Sequence, residues 1–139
     1  MAKYLGLDLG SVTCGVAISD LSGFLARTYS TIRFKEDDYD YCLNEVVNIC
    51  QKENVKDIVL GLPKHMNGDV GIRGNISIEF KQKLEEKGFK VYLVDERLTT
   101  VLANNYMLQA DMRRDKRREK KDELAAQIIL QTFLDGGKK

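Results

Sequence analysis

The chain has 139 residues, of which 43% are hydrophobic and 31% charged, and its formal net charge at pH 7 is +1. This length predicts one domain, residues 1–139, with a core of its own and no room for a second domain. The composition is that of a soluble globular protein, and because we find neither a signal-peptide pattern nor a long apolar run, we expect no export and no membrane span.

The first predicted strand covers residues 3–9 and carries an acidic residue. Leu5, Leu7 and Leu9 share one face of this strand, and Asp8 lies on the other. Burying a carboxylate is costly unless it is paired or binds a metal, and no basic residue follows Asp8 within five positions. Asp8 therefore caps the glycine turn after the strand, pairs with a basic residue distant in the sequence, or belongs to an acidic site assembled from distant segments.

Two more strands are predicted over residues 14–19 and about 25–34, and the short turns between the three strands favour an antiparallel meander. An amphipathic helix follows, because apolar residues recur at helical spacing over residues 39–50. Cys42 and Cys50 belong to that apolar stripe and are interpreted as core residues. The three cysteines of the chain are an odd number and show no metal-binding spacing. Unpaired cysteines of this kind are typical of a protein from the reducing cytoplasm.

Strands and helices alternate in the second half of the chain. In order, the predictions are a buried strand over residues 57–62, a polar, glycine-rich loop over 64–75, a helix over about 77–87, a strand over 91–96, a helix over about 99–110 and a last helix from 122 to about 134. Strands separated by helices form parallel pairs through right-handed crossovers. We therefore predict an α/β fold with a five-stranded mixed sheet, in which the first three strands are antiparallel, the first, fourth and fifth are parallel, and helices cover both faces.

Three acidic residues are expected at one edge of this sheet. Asp8 and Glu96 lie near the carboxyl ends of parallel strands, where such sheets form their sites, and Asp122 opens the last helix. Converging carboxylates repel one another, and Mg²⁺ or Mn²⁺ relieves that repulsion through oxygen ligands. We predict that Asp8, Glu96 and Asp122 hold such ions, which can activate a water against a phosphodiester. Taken singly, Glu96 could pair with Arg97, and Asp122 could merely favour the helix N-terminus.

A basic segment precedes the last helix. Residues 113–121 read RRDKRREKK, a local charge of +5, whereas the rest of the chain sums to −4. This asymmetry favours nucleic acid as a partner, with a solvated helix face or loop as the alternative. The basic residues concerned are Arg113, Arg114, Lys116, Arg117, Arg118, Lys120 and Lys121.

Four ordered motifs resemble those of the YqgF family of pre-16S ribosomal RNA nucleases, also described as Holliday-junction-resolvase-like proteins. The motifs are LDLGS with GVAISD within residues 7–20, IVLGLP with MNG and GIRG within 58–74, VDERLTT at 94–100, and DELAA followed by IL within 122–130. Together they span nearly the whole chain. The resemblance implies an RNase H-like fold, which agrees with the element order predicted above.

The resemblance also implies roles for individual residues. Asp8, Glu96 and Asp122 match the family's catalytic carboxylates. Arg73 and Arg97 match its motif arginines, whose guanidinium groups can grip a phosphate bidentately.

Three further residues, two in the first turn and one in the glycine-rich loop, complete the sequence-based interpretation. The chain has Val12 and Thr13 where many family members carry basic residues after the first glycine. The single histidine, His65, is interpreted as an exposed loop residue, with proton transfer to the leaving oxygen as the alternative.

Residues and resemblance together favour a metal-dependent endonuclease acting on structured nucleic acid, foremost in the 5′ processing of precursor 16S rRNA. The alternatives are a resolvase of branched DNA and a non-catalytic RNA- or ribosome-binding module on the same fold. An actin-like ATPase also begins with a strand, an aspartate and a glycine turn, but it needs two lobes, and this length provides one. We expect a cytoplasmic monomer or homodimer that has no membrane partner and can associate with the ribosome.

Overall fold

The computed structural model describes residues 3–63, 71–95 and 114–137, with side chains in the last range from Asp122 to Gly136. The strands in these ranges are β1 (Tyr4–Leu9), β2 (Thr13–Ser19), β3 (Ala26–Arg33), β4 (Asp57–Leu62) and β5 (Lys90–Asp95). The helices are α1 (Tyr39–Glu53), α2 (Ile72–Glu86) and α3 (Arg114–Thr132), and α3 continues into a π-helical turn, Phe133–Gly137. The helix predicted over about 99–110 lies outside the described residues.

All five strands join one mixed sheet in the order β3-β2-β1-β4-β5. β1 pairs antiparallel with β2 and β2 with β3, whereas β1 with β4 and β4 with β5 are parallel pairs. The predicted sheet is therefore confirmed. Its parallel strands β1, β4 and β5 end at the same edge, which also contains the turn from β1 to β2.

The sheet buries both of its faces under helices. On one face, Leu5, Leu7 and Leu9 pack in a cluster with residues of α1 and α2 such as Val46 and Phe80. On the other face, alanine and valine residues of the strands pack against Ala126, Ile129, Leu130 and Phe133 at the end of the chain. Asp8 belongs to this second face by strand alternation, as expected from the leucines on either side of it.

Helix α1 begins and ends with local signals that the sequence carries. The side chain of Asp38 accepts a hydrogen bond from the backbone N–H of Tyr41, so Asp38 is the N-cap. Asn54 ends the helix in the left-handed conformation, at φ 61°. The apolar stripe between them includes Cys42, Leu43, Val46 and Cys50, all of which are buried.

Helix α2 begins at Ile72, five residues before the predicted start at 77. The expected loop over 64–75 was therefore wrong for residues 72–75, which are helical. The physical reason is that the buried face of α2 opens with Gly74 and Ser77, which are small and carry no hydrophobic signal. Arg73 consequently lies in the first turn of a helix.

Helix α3 begins at Arg114, so the prediction of a start at Asp122 was wrong. Residues 114–121 of the basic segment form the first turns of the helix, because arginine, lysine and glutamate are strong helix formers and no glycine or proline interrupts them. Asp122 therefore lies inside α3, and its interpretation as a charge at a helix N-terminus does not hold. None of the helices in the described ranges is long and apolar enough to cross a membrane.

Candidate active site

Asp8 lies near the carboxyl end of β1, and its side chain is partly buried. Its cross-strand partner on β2 is Gly15. Directly opposite residues of an antiparallel pair share a face, so Asp8 and the Cα of Gly15 both face α3. Gly15 is buried, as are the residues on either side of it in β2, which indicates that another element packs closely on that face.

The backbone of α3 at Asp122 lies directly on Gly15. A Cβ atom built on Gly15 would overlap the carbonyl oxygen of Asp122 and would lie 3.0 Å from the backbone nitrogen of Glu123. Since Gly15 is the partner of Asp8, the structure brings Asp122 to the same point of the sheet as Asp8. Two of the three predicted acidic residues therefore lie at the same point of the sheet, although they are 114 positions apart in the sequence.

The negative charges of Asp8 and Asp122 both act on the buried thiol of Cys14. A hydrogen bond with Cys42 raises the pKa of Cys14 well above its usual range, and burial, the charge of Cys42 and the charges of Asp8 and Asp122 raise it further. The thiol is therefore neutral, and it points its weak donor at the carbonyl oxygen of Gly15, 3.7 Å away. Cys14 belongs to the core, as does its partner Cys42.

Arg73 is anchored at the same edge of the sheet. Its Nη2 donates to the carbonyl oxygen of Leu9, at 3.3 Å, and its Nη1 donates to the hydroxyl oxygen of Tyr39, at 2.9 Å. Leu9 directly follows Asp8, so the guanidinium lies beside the end of β1. Within the described residues these two bonds use two of the five guanidinium N–H donors.

Tyr39 connects this arginine to the start of α1. Its hydroxyl donates to Oδ1 of Asp37, at 3.1 Å, while it accepts from Arg73. Asp37 has a positive φ of 63° and donates its backbone N–H to the carbonyl oxygen of Ser11 in the turn after β1. The sequence pattern assigned Tyr39 only to the apolar stripe of α1, because periodicity does not show what a hydroxyl group meets.

The turn between β1 and β2 carries Val12 and Thr13 in place of basic residues, and Val12 is exposed. Thr13 pairs with Arg33 at the end of β3. Arg33 is also exposed, so a cationic side chain from the neighbouring strand lies at this edge.

The remaining predicted site residues divide into two groups. Glu96, Arg97, Arg113 and His65 lie outside the described residues. Arg114, Lys116, Arg117, Arg118, Lys120 and Lys121 all lie in the first turns of α3, immediately before Asp122.

The donor chemistry of Asp8 and Asp122 fits a hard divalent cation, which prefers carboxylate oxygen ligands. In the part of the chain that the structure describes, no group of three histidine, cysteine or acidic side chains is placed to hold a metal ion. The described residues thus provide two acidic residues at one point of the sheet, Asp8 and Asp122, and the third predicted carboxylate, Glu96, follows β5 directly in the sequence.

Comparison with known proteins identifies the family. A family model, RuvX, described as a Holliday junction resolvase, matches residues 2–136. The chain belongs to the RuvX family. A relative from Staphylococcus haemolyticus, named as a pre-16S rRNA nuclease, is 44% identical over 135 residues, covering 96% of this chain and 95% of the relative. The resemblance found in the sequence motifs is therefore confirmed.

Solved structures of resolvases share the fold of this RuvX-family chain. RuvC of Thermus thermophilus, in complex with a Holliday junction substrate, superposes with a TM-score of 0.63 at 11% identity and covers 98% of each chain. The Holliday junction resolvase of fowlpox virus has a TM-score of 0.56 at 15% identity, covering 96% of this chain and 98% of its own. At such identities the likeness concerns the fold alone, and it confirms the predicted RNase H-like architecture.

Proposed function

We propose that this chain is a metal-dependent endonuclease that hydrolyses phosphodiester bonds in structured nucleic acid, and that its substrate is the 5′ region of precursor 16S rRNA. The observation that carries the proposal is the position of Asp122 on Gly15, the cross-strand partner of Asp8. Two carboxylates at one point of a sheet edge repel each other, and a divalent cation bound by both relieves that repulsion. The names of the curated relatives support the substrate.

In this proposal Asp8, Asp122 and Glu96 hold Mg²⁺ or Mn²⁺. Such an ion, when bound, supplies activation of a water and neutralisation of the charge that develops on the phosphate. Asp8 contributes from a strand and Asp122 from a helix that is packed against that strand, so both carboxylates have rigid supports. Arg73 lies beside the end of β1, and we assign it, together with Arg97, to a scissile phosphate.

The basic residues from Arg113 to Lys121 are assigned to phosphates that flank the cleaved bond. From Arg114 onward they lie in the helix that carries Asp122, so the helix fixes the position of the basic segment relative to that residue. Nucleic-acid affinity from such contacts is dominated by counterion release and depends on salt.

Cleavage by carboxylate variants tests the proposal. Asp8→Asn and Asp122→Asn each remove one charge without changing the shape of the side chain, and we expect each to lower the cleavage rate by at least about 100-fold, which corresponds to about 2.7 kcal/mol of lost transition-state stabilisation. RNA affinity should stay within a few fold. Glu123→Gln is the matched control, because it removes the adjacent charge on the same helix, and it should cleave like the wild type. Equal cleavage by Asp8→Asn and the wild type would contradict the assignment.

A resolvase of branched DNA is the second candidate, and the description of the matching family model favours it. The same variants should be assayed on a precursor rRNA fragment and on a four-way DNA junction at equal concentrations. Preferential cleavage of the junction would mean that the substrate is branched DNA and that the same residues cleave it. Metal-independent binding of both substrates without any product would leave the non-catalytic RNA- or ribosome-binding module.

We further propose a cytoplasmic location, which the three free, buried cysteines support because cytoplasmic thiols stay reduced. Association with the ribosome and a monomeric or homodimeric state complete the proposal.

A further inference from the structure

Helix α3 rests on the sheet at two glycines of neighbouring strands. At Gly6 on β1, an added Cβ atom would lie 2.7 Å from Cβ of Leu130 and 2.9 Å from the carbonyl oxygen of Ala126. At Gly15 on β2, it would overlap the carbonyl oxygen of Asp122. Neither glycine has a positive φ, so the position requires a small residue and not an unusual backbone conformation.

The two glycines differ in what they hold. Gly6 pairs with Ala17 and meets the later turns of α3, at Ala126 and Leu130. Gly15 pairs with Asp8 and meets the turn that carries Asp122. The close approach at Gly6 therefore serves the packing of α3 on the sheet, whereas the close approach at Gly15 lies between two acidic residues.

We propose that Gly15 is a positioning residue of the metal site: it lets α3 approach β2 closely enough for the carboxylates of Asp8 and Asp122 to share one divalent ion. The inference rests on the proposed function, which supplies the ion. Gly15 itself touches neither metal nor substrate. Because Gly15 has no methyl group, α3 can lie close to β2, and Gly15 acts only through this short distance.

A methyl group at position 15 must move the helix. An ordinary contact between a carbon atom and its neighbour needs about 3.5 Å, so the turn at Asp122 would have to rise from the sheet by about an ångström or more. The carboxylate of Asp122 would rise with it. Replacing Asp122 by glutamate adds one methylene group, a reach of about 1.5 Å, and can bridge the gap that the methyl group opens.

Four variants of the full chain test this idea by Mn²⁺ titration calorimetry, with thermal unfolding of each variant measured in parallel. We expect Gly15→Ala to weaken Mn²⁺ affinity by about tenfold or more. Gly6→Ala, the matched control, should lower the melting temperature but leave the affinity within about threefold. Asp122→Glu alone should weaken binding, because Gly15 holds the helix at a distance sized for aspartate. The double variant Gly15→Ala/Asp122→Glu should recover most of the lost affinity.

The outcomes separate this inference from the proposed function. Wild-type protein that binds no Mn²⁺ overturns both. If the wild type binds Mn²⁺ and Gly15→Ala binds it equally well, the role of Gly15 is overturned and the metal site stands. The same holds if Gly6→Ala weakens Mn²⁺ affinity as much as Gly15→Ala does. If Gly15→Ala fails to fold, the Asp122→Glu variant still tests the inference. A Mn²⁺ affinity of Asp122→Glu equal to that of the wild type would mean that the distance between β2 and α3 is not fixed for an aspartate, and would overturn the role of Gly15.

Discussion

At the scale of single residues, a tyrosine hydroxyl connects the charged groups at this edge of the sheet. Tyr39 accepts from Arg73 and donates to Asp37, so that one hydroxyl joins the first turns of α2 and α1. Its ring packs against Phe34, with the ring centroids 5.9 Å apart. The guanidinium that we assign to a phosphate is therefore oriented before any substrate arrives, which lowers the entropic cost of binding.

Removing that hydroxyl should loosen the arginine without disturbing the core. Tyr39→Phe keeps the ring and loses hydrogen bonds to two charged partners, so we expect the free energy of unfolding to fall by about 1–2 kcal/mol. Tyr41→Phe is the control, because Tyr41 is exposed and no hydrogen bond of its hydroxyl occurs within the described residues; it should change stability by less than about 0.5 kcal/mol. Urea denaturation measures both, and equal stabilities would mean that the Tyr39 bonds contribute nothing.

At the scale of elements, the prediction from sequence succeeded where hydrophobic periodicity was strong. The fourth strand, over residues 57–62, has the predicted bounds, because a continuous apolar run marks a strand buried on both faces. The starts of α2 and α3 were missed, since Gly74 and Ser77 bury small surfaces and the first turns of α3 are charged. Periodicity is detected from large apolar side chains, and residues 114–121 contain no apolar residue, whereas the buried positions in the first turns of α2 are small.

The turn that joins β2 and β3 is held by one carboxylate. Asp20 accepts hydrogen bonds from the hydroxyl of Ser22, at 2.7 Å, and from the backbone N–H groups of Phe24 and Leu25. The bond from Ser22 contributes most to lowering the pKa of Asp20, followed by the backbone donors. A carboxylate with a lowered pKa stabilises the fold above the pKa of the unfolded chain, about 3.9, and this contribution disappears as pH falls through the folded-state value.

Asp20→Asn should therefore destabilise the protein in a pH-dependent way. We expect its melting temperature to lie below that of the wild type at pH 7, and the difference to shrink as the pH is lowered below about 4. Glu79→Gln, which neutralises an exposed residue of α2, should track the wild type throughout. Thermal unfolding across pH 3–7 provides the test, and a difference between Asp20→Asn and the wild type that is constant with pH would refute the role of the ionised side chain.

At the scale of the whole molecule, the site is a consequence of covering a sheet on both faces. Leucines of β1 are buried under α1 and α2, and the alternation of the strand directs Asp8 to the face that α3 covers. Two glycines then allow α3 to lie on that face with Asp122 at the level of Asp8. The motifs identified both acidic residues and the family, whereas the close approach at Gly15 and the bond from Arg73 to Tyr39 depend on three-dimensional contacts that periodicity cannot express.

The proposed metal site requires that Asp8 and Asp122 bind the same divalent ion. A crystal structure of the wild-type protein grown with Mn²⁺, with anomalous diffraction data collected at the manganese absorption edge, tests it most directly. We predict an anomalous peak between the two side chains, with a carboxylate oxygen of each about 2.0–2.3 Å from the metal. A structure in which each carboxylate is paired with its own lysine or arginine, with no peak between them, would contradict the claim.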